Sequence, residues 1–221
     1  MLMNDMRKLA GIAGIVFIAI LIATLILPGT PPAIDDSDSD LVNFFTDNRS
    51  AILLAQWLGF IVTVPALFFF SYFLVVLRQS EGDQPVRTLT ALIGIAATAG
   101  IAIVVAAILA TGAFEADHGL EEKMARIYYD LASIATNGQF VALGTYSLFS
   151  GWLIVSKRAF PVWCGWIGIG GGVLAVLSSA CLASSGALAP AAPLAVFPAV
   201  AVFVVYTLAL SVLMLRPAKN S

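Results

Sequence analysis

The chain has 221 residues, of which 60% are hydrophobic and 11% charged, with a formal net charge of −2. Soluble domains carry about 25% charged residues. A shortfall of this size, concentrated in long charge-free runs, excludes an ordinary soluble domain and places the chain among integral membrane proteins. Six runs reach the roughly 20 apolar residues that a hydrocarbon core requires: residues 9–27, 51–77, 89–114, 127–155, 162–183 and 193–215. The expected fold is all-α, a polytopic bundle of six transmembrane helices forming a single domain over residues 1–221.

Arg7 and Lys8 precede the first run, as in a signal peptide. Its apolar stretch is longer than the roughly 7–15 residues of a signal h-region, so it reads as an uncleaved first span. The loop that follows is Pro-rich and acidic. Asp40 or Ser39 is expected to cap a short helix that lays Leu41, Val42, Phe44 and Phe45 on the membrane surface. The spacing Asp36-x-Asp38-x-Asp40 resembles the start of a calcium loop, but Leu41 stands where the turn needs Gly and Asp47 replaces the bidentate Glu. A solvated acidic loop is the better reading.

In the second span Pro65 removes a backbone donor, and Pro198 does the same in the sixth, so a kink is expected at each. The third span carries the small residues Gly94, Thr98 and Ala102. "FSYFLVVLR" at 70–78 matches "FSGWLIVSK" at 149–157, which suggests a duplicated helical hairpin, spans 2–3 and 4–5. Between spans 3 and 4, Glu115, His118 and Glu122 would share a face if that segment were helical, a set able to hold a divalent ion. Glu121 and Glu122 read better as first-turn acids of span 4, opposite the positive end of its dipole.

Span 4 opens with "YYDLASIATNGQF", an unusual concentration of polar groups for a membrane helix. Asp130 lies about 5 Å below the expected outer boundary, four residues after Arg126, and reads as its ion-pair partner. Asn137 lies about 15 Å in, near the midplane, where an amide needs a partner. Asp130, Ser133, Asn137, Gly144 and Gly151 fall on one arc. In one account Asn137 is interhelical glue, bonded to a carbonyl freed by Pro65 or Pro198. In the other, Gln56, Asp130, Asn137 and Tyr206 line a ligand pocket open to the outer side. The packing account is the stronger of the two.

Span 5 presents Gly165, Gly168, Gly172, Ala175, Ser179, Ala183 and Gly186 in a narrow arc, a face for close helix approach. Cys164 and Cys181 lie in this same expected helix about 25 Å apart, too far for a disulfide. Under the six-span layout Arg7, Lys8, Arg78, Arg87, Lys157, Arg158, Arg216 and Lys219 share one side, and Arg49, Lys123 and Arg126 the other. This asymmetry predicts that both termini are cytoplasmic. Trp152, Trp163 and Trp166 fall near the inner boundary and Trp57 nearer the outer one, as interfacial anchors.

Several chemistries lack their residues. The single His, His118, lies in a loop, so neither a bis-histidine haem nor a Ser–His pair at membrane depth is available. No Lys lies within a span for a Schiff base, and the ligands of an intramembrane zinc hydrolase are missing. The sequence therefore implies no catalytic residues, no cofactor and no metal.

The stretch 148–172, "LFSGWLIVSKRAFPVWCGWIGIGGG", carries Lys157, Arg158, Phe160, Pro161, Trp163, Gly165 and Gly168. This order of basic residues, Pro, Trp and a Gly-rich helix resembles the bacterial membrane proteins grouped as domain of unknown function 4386. The resemblance implies a multi-pass protein of the bacterial inner membrane and carries no known activity. The functional expectation is a non-enzymatic structural or accessory subunit of a membrane assembly. The alternative is a binder or carrier of a small hydrophobic molecule or lipid through the outer pocket. Expected partners are the lipid bilayer and a membrane protein or a second copy of the chain, with no nucleic acid.

Overall fold

The computed structural model describes residues 2–183, 185–190 and 192–216, and every regular element among them is helical. α1 (Leu2–Ile26) ends at a turn through Gly29, whose φ of +78° favours glycine. α2 (Asp38–Asp47) begins at Ser37, whose hydroxyl accepts from the Asp40 N–H while the Asp40 carboxylate accepts from the Ser37 N–H.

Leu41, Phe44 and Phe45 do not lie on the membrane surface, as the sequence suggested; they are buried in the protein. Phe45 fills the space left by Gly112, where a Cβ would come within 2.7 Å of its ring. Leu41, Phe44, Phe45 and Ile52 pack with Ala113, Ala125 and Tyr129 into a small second core. Protein rather than lipid covers the apolar face of α2.

The second crossing is divided. α3 (Arg49–Ile61) and α4 (Thr63–Glu81) meet at Val62. Pro65 has no N–H to offer the Ile61 carbonyl four residues back, so the expected kink falls at the α3–α4 break. α5 (Val86–Glu115) passes into a 3-10 turn at Ala116–His118 and stops at Gly119, in the left-handed region. α6 (Glu122–Lys157) ends at Arg158, also left-handed, and α7 (Val162–Ser178) follows. α8 (Pro193–Leu215) continues through Pro198 without interruption.

The crossings close into a ring: α1 packs on α8, α8 on α7, α7 on α6, α6 on α5, and the α3–α4 pair joins α5 back to α1. α4 turns its aromatic face into the middle. Phe70 meets Phe17, Tyr146 and Phe203, and Phe73 meets Tyr146, Phe160 and Tyr206. Segments 70–78 and 149–157 both close a helix at the basic end, but α5 lies chiefly against α6 rather than α4.

Glycines set the closest approaches. A Cβ at Gly94 would meet the Tyr146 N at 2.7 Å, and one at Gly172 would meet the Leu148 N at 2.8 Å and the Gly144 carbonyl at 2.9 Å. Gly151 and Gly165 face each other in the same way. The small-residue face of span 5 therefore packs on α6 through Gly165, Gly168, Gly172 and Ala175. It does not continue to Ala183 and Gly186 as expected, because α7 stops at Ser178.

Among the described residues, five helical segments are long and apolar enough to cross a membrane, and α7, at 17 residues, is a shorter apolar helix. The lengths are unequal: α6 has 36 residues, about 54 Å, against about 25 Å for α7. Trp57, Trp152, Trp163 and Trp166 are all more than half exposed, on the outer surface of the bundle.

Candidate functional site

The polar stretch of α6 divides between two environments. Near its start, Arg126 holds the first loop. Its Nε donates to Asp38 at 2.7 Å, Nη1 to the Ile34 carbonyl at 2.6 Å, and Nη2 to the Asp36 carbonyl. The Tyr129 hydroxyl donates to the Pro32 carbonyl. Asp130 stands 3.9 Å from Arg126, so the expected pair is present, but Asp38 is the closer partner. Sequence spacing along one helix cannot reveal a partner 88 residues away.

Three acids of this region are engaged by protein partners. Asp36 accepts from the Ala33 N–H, Asp38 pairs with Arg126, and Asp40 caps α2. The set Glu115, His118 and Glu122 is not assembled, because the 3-10 turn and Gly119 separate α5 from α6. Among the described residues no group of three His, Cys, Asp or Glu side chains is placed to hold a metal.

Asn137 is buried and its Nδ2 donates to the Cys181 carbonyl. This corrects one expectation. The carbonyl is not one freed by Pro65 or Pro198; it belongs to the turn after α7, where terminal carbonyls lack helical partners. Asn137 lies 15 residues after Glu122 and 20 before Lys157, near the middle of the long α6 and level with the end of the shorter α7. Its Oδ1 has no partner among the described residues.

Tyr206 sits elsewhere. Its hydroxyl pairs with Ser150 at 3.0 Å, and Ser150 follows Asn137 by 13 residues, about 20 Å along the helix. Gln56 is half-buried on α3 and makes no hydrogen bond among the described residues. The structure thus keeps Asp130 and Asn137 on one helix and places Tyr206 in a separate buried group with Tyr146 and Ser150.

Sequence reasoning missed two clusters. One is that buried hydroxyl group, which Tyr146, Ser147 and Ser150 foreshadowed by falling beside the glycine face of α6. The other lies at the basic end. Glu81 accepts from the backbone N–H groups of Arg87 and Thr88, the Thr88 hydroxyl and the Arg87 Nε, tying α4 to the start of α5. Arg87 reaches on to Ser156 and lies 5.0 Å above the Trp152 ring. An acid just before a proline-led helix start was its only signal.

A ring of long apolar helices, basic at one end and acidic at the other, is the fold of a multi-pass helical membrane protein. The chain belongs to the family described as Domain of unknown function (DUF4386), whose model matches residues 12–215. No curated protein and no solved structure matches it.

Proposed function

We propose that the protein is a non-enzymatic structural or accessory subunit of an assembly in the bacterial inner membrane, with both termini cytoplasmic. The observation that supports this reading is how the interior polar groups are used. Asn137 holds the end of α7, Ser150 and Tyr206 hold each other, and Thr98, Ser133 and Ser211 donate to carbonyls one turn back in their own helices. The hydrogen bonds these groups make run within or between helices, which favours a scaffold over a reaction centre.

A second reading, a carrier of a small hydrophobic molecule or lipid, draws on the Oδ1 atoms of Asp130 and Asn137, which have no hydrogen-bond partner among the described residues. Mass spectrometry of the protein purified in mild detergent separates the two. A stoichiometric second protein is the expected result; a stoichiometric small molecule without one would replace the subunit reading with the carrier.

A further inference from the structure

At the basic end, where α5 begins beside the last turns of α6, the Arg87 guanidinium is fixed from three sides. Its Nε donates to Glu81 at 3.1 Å, its Nη1 donates to Ser156 at 3.1 Å, and its plane lies over the Trp152 ring. Three contacts remove most of the rotamer freedom that a surface arginine keeps. Nη2 makes no hydrogen bond among the described residues and is not among the buried unpaired atoms, so one edge of the fork remains open.

The surroundings say what would meet that edge. Trp152 is 52% exposed, and Val141, on the same face of α6, is 48% exposed. With Phe149 against the Trp152 ring, these residues form an apolar strip running from Arg87 along one face of α6. Lys157 and Arg158 follow Ser156 directly, adding positive charge at the same helix end. A fixed fork with open N–H donors, at the head of an apolar strip and beside an indole, is complementary to a phosphate that carries acyl chains.

We propose that this α5–α6 junction is a binding site for an anionic phospholipid, with Arg87 donating to the headgroup phosphate and an acyl chain lying along Trp152 and Val141 of α6. The site depends only on the protein being embedded in a bilayer and not on its role as a subunit. Free phosphate shares the headgroup chemistry but has nothing to place on the apolar strip.

Native mass spectrometry of the purified full chain with added phosphatidylglycerol or phosphatidylcholine tests the site. The wild type should retain phosphatidylglycerol about tenfold more tightly than phosphatidylcholine, and Arg87→Gln should abolish that preference. Because Arg87 also binds Glu81, Trp152→Leu serves as the second variant; it leaves the ion pair intact and should weaken retention with an unchanged melting temperature. Inorganic phosphate in excess should not displace the lipid. The proposal is overturned if the wild type shows no preference, if folded Arg87→Gln or Trp152→Leu protein retains phosphatidylglycerol as the wild type does, or if phosphate alone competes fully.

Discussion

Asn137 and Glu81 illustrate opposite uses of a polar side chain near the ends of apolar helices. Asn137 donates to the Cys181 carbonyl across the α6–α7 contact. Asn137→Ala should lower thermal stability in detergent by only about 0.6 kcal/mol, the average for interhelical polar contacts. Any bound partner protein should stay bound. A melting curve with pull-down of the partner checks both, and loss of a co-purifying small molecule with the fold intact would instead favour the carrier. Glu81 accepts four hydrogen bonds and its side chain is 2% exposed. Glu81→Ala leaves buried donors unpaired, so we expect a loss of about 1–3 kcal/mol, measured by the same melt. A variant as stable as the wild type would show that the α4–α5 junction contributes little to the fold.

At the scale of elements, α6 and α7 are held by glycine facing glycine. Gly172→Leu would drive its side chain into Leu148 and the Gly144 carbonyl. Overpacking of this kind costs about 1–3 kcal/mol, so the variant should extract poorly and melt early. Leu174→Ala, on the exposed side of α7, should behave nearly as the wild type. Equal monodispersity of the two on size-exclusion chromatography would contradict the packing seen here. The glycine face was legible in the sequence because its period matches a helix. Where it stops was not, because the polar groups that end α7 become affordable only when Asn137 of another helix supplies a donor. The burial of α2 was equally hidden: an amphipathic segment reads the same whether lipid or Gly112 and Ala113 lie beneath it.

For the whole molecule, the expected topology is tested by thiol labelling of intact cells. Both native cysteines are buried, so background reaction should be low. Asp35→Cys and Lys123→Cys, both exposed at the acidic end, should label from outside, and Gln84→Cys at the basic end should label only after permeabilisation. Labelling of Gln84→Cys from outside would reverse the orientation. Ser221, at the C-terminus expected on the same side as Gln84, lies outside the described residues.

The all-helical membrane-type architecture, the approximate crossings, the segregation of charge between the two ends and the close face of α7 were all legible along the chain. All of these follow from hydrophobic length and helical period, which are properties of contiguous residues. Helix packing revealed that the crossings close into a ring around the aromatic face of α4 and that α2 is buried. It alone joined Arg126 to Asp38, Asn137 to Cys181 and Arg87 to Ser156 and Trp152. Each of those pairs lies on separate elements, and a partner across a helix interface is fixed by rotation and depth. Neither is set by the pattern along a single helix.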